Sequence, residues 1–180
     1  VNKYIPDMKK YVSGTGSPMY YAARIAKEKY PDAKIVFVGP CVAKRKEAQR
    51  DEAVDFVMTF EEVSSIFDAF EVNLEIVQPY AMEFSSVREA HGFAQAGGVM
   101  GAVKAFLKME ADKINAIQVS DLNKKNIGTL RAYAKSGKAP GQFIEVMACE
   151  GGCITGPSTH SGSNGKRQLV QELAKQEKTY

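Results

Sequence analysis

Short apolar runs bounded by turn residues recur along the chain, with amphipathic stretches between them. The runs at Lys34–Val38, Val54–Met58, Asn115–Val119 and Phe143–Ala148 read as strands, and so does a shorter one, Leu74–Val77, that ends at Pro79. Helices fill the gaps. Ser17 is placed as an N-cap with Pro18 at the first helical position, and the helix it opens runs to about Lys29 with Tyr21, Ala22, Ile25 and Ala26 on one face. Thr59-Phe60-Glu61-Glu62 fits a capping box for a helix to about Ala69. Gly97-Gly98 opens a helix from Val99 to about Ala111, striped by Val99, Val103, Phe106 and Leu107. Asn126–Ser136 reads as a helix closed by Gly137, and Lys166 to about Gln176 as a polar one. Residues 1–12 form a lead-in with an apolar face (Tyr4, Ile5, Met8, Tyr11). Lys44-Arg45-Lys46-Glu47 is a charged segment, and residues 80–93 and 155–165 read as loops. Strands alternating with helices predict an α/β fold of mainly parallel sheets flanked by helices.

Composition narrows the classes. At 180 residues and 44% hydrophobic content the chain forms one domain or two small lobes with an ordinary core. Its 24 basic and 21 acidic residues are mixed along the chain, so a nucleic-acid footprint is not expected. No run approaches the ~20 apolar residues of a membrane span, and Val1–Pro6 lacks the apolar core of a secretory signal. The first residue is not methionine, which fits a processed protein or an excised piece. Three cysteines are too few for a disulfide framework, which points to a reducing, cytoplasmic setting.

The cysteines carry the candidate chemistry. Cys149 follows the Phe143–Ala148 run, and Cys153 comes four residues later, after Glu150-Gly151-Gly152. Cys41 follows Ile35–Val38 and the turn Gly39-Pro40. Cysteine loops at the carboxyl ends of strands are where open α/β sheets place ligands. Adjacent glycines allow backbone N–H groups to approach the sulfurs of a bulky inorganic group. Three readings stay open at this point: inert buried thiols, a Cys3His zinc site using His160, and an iron–sulfur cluster. The three-residue gap between Cys149 and Cys153 departs from the usual zinc knuckle, and the glycine-lined loops fit the cluster better. Lys44, three residues past Cys41, is either an exposed member of its charged run or a donor to an anion bound beside the cluster. By residue type alone, Met147 is a core residue, His91 and His160 face solvent in loops, Ser13 is a turn residue and Glu47 a surface charge.

These segments resemble a known family. Phe37-Val38-Gly39-Pro40-Cys41-Val42-Ala43-Lys44-Arg45-Lys46-Glu47 resembles the second signature of the iron-only hydrogenases, typically M-P-C-x-x-K-x-x-E. Glu145–Cys153 resembles their third, E-x-M-A-C-x-G-G-C, which is highly specific. Gly97-Gly98-Val99-Met100 looks like the T-G-G-V-M helix start, with Ala96 for threonine, and Ser13 with Ser17-Pro18 resembles the serine segment upstream. The resemblance covers nearly the whole chain. It implies the C-terminal part of a catalytic domain, residues 1–180, that carries the H-cluster: a 4Fe-4S cubane joined through a cysteine to a di-iron subcluster with carbonyl, cyanide and dithiolate ligands. It implies reversible interconversion of dihydrogen with protons and electrons. Cys41 and Cys149 resemble the cubane ligands, and Cys153 the cysteine shared with the di-iron unit. Lys44 resembles the lysine that hydrogen-bonds a cyanide, Met147 a methionine packed on the di-iron unit, and Ser13 a serine of the proton path. Glu47 closes the second signature, and Gly39 and Pro40 border the cofactor pocket. Implied partners are an electron carrier such as ferredoxin, or further iron–sulfur domains, and the H-cluster maturation proteins.

The chain departs from the pattern in three places. The first signature, T-S-C-x-P-G-W, with the fourth cubane cysteine, is absent; the resemblance places it upstream of Val1. Gly39 stands where methionine is usual, and Thr155-Gly156-Pro157-Ser158-Thr159 replaces G-G-G-Q-P. The last two changes resemble the divergent, sensory hydrogenases. The alternative reading is a non-catalytic iron–sulfur protein on the same fold, with an assembly or regulatory role.

Overall fold

Two β-α-β crossovers organise the chain. The computed structural model describes residues 1–50, 52–78, 80, 86–162 and 164–175. It divides into two compact units: Val1–Ser13 with Glu83–Thr155 and Ser161–Tyr180, and Gly14–Met82 with Gly156–His160.

In the second of these units, α1 (Pro18–Lys29) leads to β1 (Val36–Gly39), α2 (Ala43–Ala48), β2 (Phe56–Thr59) and α3 (Phe60–Ala69). β1 and β2 pair in parallel, Val36 opposite Phe56 and Gly39 opposite Thr59. A core of Met19, Ala23 and Val54, with Ile35, Phe37 and Val57 packed against it, joins α1 to one face of this sheet. The expected caps are present. Ser17 accepts the Tyr20 N–H, and Thr59 and Glu62 form the reciprocal capping box. The buried face of α1 differs from the expected one: Met19 and Ala23 face the core, while Tyr21 and Ile25 are exposed. Both faces of this helix carry apolar residues, and the small Ala23 lets the helix lie close on the strands.

Two further expectations are corrected here. The charged segment after Cys41 is the helix α2, missed because it has no apolar periodicity. Leu74–Val77 is a turn and bend rather than a strand, since Asn73 Oδ1 accepts the Glu75 N–H and closes an Asx turn. The expected strand end at Pro79 lies outside the described residues.

In the other unit, a 3-10 turn at Pro6–Tyr11 precedes α4 (Arg88–His91), a short 3-10 turn, α5 (Gly98–Leu107), β3 (Ala116–Ser120), α6 (Lys124–Ser136), β4 (Phe143–Met147) and α7 (Asn164–Ala174). β3 and β4 pair in parallel, Gln118 opposite Glu145 and Ser120 opposite Met147. One sheet face packs on Ile5, Leu130 and Ala134 through Val119 and Ile144. The other carries Glu145 toward α5. Part of the expected 80–93 loop is thus the helix α4. α5 stops at Leu107, where Lys108 turns to positive φ and a 3-10 turn follows. α6 starts two residues before the expected Asn126 because Asn123 accepts that residue's N–H at 2.9 Å and caps the helix. Gln176, the expected end of the last helix, lies outside the described residues.

Candidate metal centre

β4 delivers Cys149 and Cys153 on a loop whose shape depends on two glycines. Gly151 and Gly152 have φ of +79° and +100°, the left-handed region that glycine enters without strain. A Cβ on Gly152 would lie 2.4 Å from the backbone nitrogen of Ala96, so this loop sits directly against the segment before α5. Ala96 N–H donates to Gly151 O at 2.9 Å. From the β3 end, Ser120 Oγ accepts the Gly151 N–H at 3.0 Å and donates to Cys149 O at 3.3 Å. Gly152 N–H bonds back to Cys149 O, and Thr155 Oγ1 donates to Gly152 O. The turn is thereby fixed, with Cys149 half-buried and Cys153 exposed.

Glu145 organises the other side of this loop. It is 5% exposed, and its carboxylate accepts the N–H groups of Gly97 and Met100 at 2.6 and 2.7 Å. α5 has no side-chain cap of its own, and Gly97 ahead of it has φ of +89°. A carboxylate from β4 therefore caps the helix and meets the positive end of its dipole. The sequence pattern gave Glu145 no role. The findable signal was a glutamate in the middle of an apolar strand, a place where an unpaired charge is costly.

Cys41 lies in the other unit, half-buried, just past the end of β1. Pro40 O accepts the Ser158 N–H at 3.0 Å, which ties this turn to the Gly156–His160 segment. A Cβ on Gly39 would lie 2.4 Å from the Phe37 ring, so the ring occupies the space above that strand end. Lys44, on the first turn of α2, pairs with Glu47 at 2.6 Å, and Ser17 Oγ donates to the same carboxylate. Lys44 is thus a half-buried, ion-paired side chain rather than a solvated one. Arg45 pairs with Glu62 of the α3 capping box. The Glu62 carboxyl is lowered by the Thr59 N–H and the Arg45 guanidinium. Asp55 is held down to about 2 by the Ile35 N–H first and the Lys34 ammonium next.

Among the remaining candidates, Met147 ends β4 half-buried and Ser13 is exposed. His91 and His160 are exposed, as expected, though His91 lies in α4 rather than a loop. Among the described residues no three His, Cys, Asp or Glu side chains are gathered as a metal site, whether Cys41, Cys149 and Cys153 alone or with His160. No helix among them is long and apolar enough to cross a membrane.

Comparison with known proteins follows the same lines. The chain is 27% identical to the zebrafish (Danio rerio) protein described as cytosolic Fe-S cluster assembly factor narfl, over 93% of this chain and 54% of that protein. It is 28% identical to iron hydrogenase 1 of Clostridium pasteurianum, over 85% of this chain and 34% of that enzyme. The chain therefore spans about half or less of these relatives. An FeFe-hydrogenase structure solved in a study of oxygen inactivation superposes with a TM-score of 0.67 at 21% identity, covering 97% of this chain and 62% of that one. An FeFe-hydrogenase from Chlamydomonas reinhardtii gives 0.66 at 20% identity, covering 97% and 64%. Those two likenesses concern the fold. The family described as iron only hydrogenase large subunit, C-terminal domain, matches residues 1–157. The chain belongs to that family.

Proposed function

We propose that this chain is the cysteine-bearing C-terminal part of an iron-only hydrogenase domain, and that Cys41, Cys149 and Cys153 are thiolate ligands of an iron–sulfur group in the cytoplasm. The observation that carries the reading is the Cys149–Cys153 loop, where two positive-φ glycines and the Ser120 hydroxyl fix the turn that bears both thiols. Thiolates on a fixed, glycine-bearing turn are the ligand type that iron–sulfur clusters take. Three thiolates supply three of a cubane's four ligands, and the resemblance assigns the fourth to a segment upstream. When bound, the H-cluster supplies the redox chemistry that interconverts dihydrogen, protons and electrons. The protein's part is to hold and orient. Lys44 presents an ammonium with three N–H donors, of which the Glu47 bond uses one; another is suited to an anionic ligand of the bound group. By the resemblance Met147 would lie against the bound group and Ser13 would contribute to proton transfer, and Gly39 and Pro40 shape the Cys41 turn. An electron carrier such as ferredoxin and the maturation proteins are the corresponding partners.

A second reading has its own support: an iron–sulfur protein of assembly or regulation. The zebrafish assembly factor aligns with 93% of this chain, and Gly39 with the Phe37 ring over it replaces the methionine usual in the enzymes. One experiment separates the two. The full-length protein containing this chain, prepared without oxygen and supplied with the di-iron cofactor, is assayed for iron, acid-labile sulfide and infrared bands. Carbonyl and cyanide bands that weaken on Lys44→Ala support the hydrogenase reading. Iron and sulfide without such bands, beside a control enzyme that loads, favour the assembly or regulatory one.

A further inference from the structure

We propose that Ser17 is a positioning residue for Lys44, acting through Glu47; the consequence for the cofactor rests on the reading of Lys44 given above. The hydrogen-bond directions are fixed by chemistry. Ser17 Oγ accepts the Tyr20 N–H, and a serine has one hydroxyl hydrogen. The Glu47 carboxylate only accepts, so that hydrogen goes to Glu47 Oε1. The other carboxylate oxygen, Oε2, holds the Lys44 ammonium at 2.6 Å. One carboxylate oxygen thus takes a hydroxyl and the other an ammonium, each in a charge-assisted bond.

The two ends of this relay differ in firmness. Lys44 and Glu47 ride on α2, six residues long with no side-chain cap. Ser17 starts α1, twelve residues long and anchored in the core by Met19 and Ala23. A half-buried Lys–Glu pair three apart on so short a helix still leaves a flexible side chain weakly held. With Ser17 gripping the carboxylate, Glu47 has one orientation, and the Lys44 ammonium is aimed by the longer helix rather than by its own. A serine that only capped α1 would have no effect on Lys44.

Substitutions at Ser17 separate the two roles. Aspartate caps a helix as well as serine does, but sets a carboxylate against Glu47. Asparagine caps and can still donate to Glu47. In the full-length protein containing this chain, the Nζ resonance of Lys44, assigned by its loss in Lys44→Arg, reports on the ammonium with no cofactor needed. The expected result is that this resonance is retained in Ser17→Asn and shifted or lost in Ser17→Asp, with helical circular dichroism unchanged in both. In the cofactor-loaded protein, the cyanide bands then shift in Ser17→Asp in the direction seen for Lys44→Ala. An unchanged Lys44 resonance in a folded Ser17→Asp protein overturns the proposal, as do unshifted cyanide bands beside a Lys44→Ala control that shifts them. Absence of any carbonyl or cyanide band in the unsubstituted protein is a different result: it removes the cofactor reading, and the Lys44 resonance still decides the positioning.

Discussion

The carboxylate of Glu145, in the middle of β4, accepts the backbone N–H of Met100 at 2.7 Å, in the first turn of α5. With the Gly97 bond from its other oxygen, one side chain couples the strand that delivers two cysteines to the helix whose preceding segment meets their loop. Glu145→Ala leaves both N–H groups without this partner in a nearly closed site. The expected loss is about 2–3 kcal/mol of stability, read from the denaturant midpoint. Glu145→Gln, which keeps one acceptor oxygen, should lose about half as much.

Gly152 tests the cysteine loop. Alanine there meets both a φ of +100° and the Ala96 backbone at 2.4 Å. We expect a loss of about 2–3 kcal/mol, and faster alkylation of Cys149 as the turn opens. At Gly151 a Cβ meets only the Thr155 side chain, at 3.3 Å. Gly151→Ala should therefore be the milder of the two when both are compared in thermal melts.

Asp55 sets an acid limit. Its carboxyl is lowered from 3.8 to about 2 by the Ile35 N–H and Lys34. A group depressed in the folded state contributes its stability above its unfolded value and loses it as pH falls through the folded one. The contribution should be whole above about pH 4 and gone below about pH 2. Unfolding midpoints across that interval should fall more steeply in the parent than in Asp55→Asn.

Gly39 and Phe37 form a matched pair. Gly39→Met must push the Phe37 ring out of its place in the core, at a cost of about 1–3 kcal/mol. Phe37→Ala in the same chain frees that space. The double variant should recover part of the loss, and a double-mutant cycle of unfolding free energies measures the coupling.

Much of the fold was legible because it rests on local chemistry. Ser17-Pro18, the Thr59–Glu62 box and Gly137 mark helix ends by rules that need no tertiary context, and four of the five apolar runs read as strands are strands among the described residues. What stayed hidden depends on distant partners. The Lys44–Glu47 segment looks like a solvated charge run until Ser17, 30 residues earlier, is placed beside Glu47. Glu145 looks like a surface charge on a strand until Gly97, 48 residues away, donates to it. The placement of Cys41 and Cys149 just past strand ends was plain. The choice of Met19 and Ala23 over Tyr21 and Ile25 was not, because α1 is apolar on two sides and only packing selects between them.

The outer face of the β1–β2 sheet bears on how this protein behaves in solution. Val36 and Phe56 lie side by side in register and are 45% and 59% exposed, with Val38 at 38% next along the strand. Parallel sheets are ordinarily covered on both faces, and a two-stranded one has little stability of its own. Among the described residues no third strand pairs with β1 or β2, and an exposed apolar ribbon of this kind invites other strands to add to it. Colloidal stability, rather than unfolding, is then the first limit on concentrating these residues by themselves, and a lysine at position 36 or 56 is the simplest way to raise it.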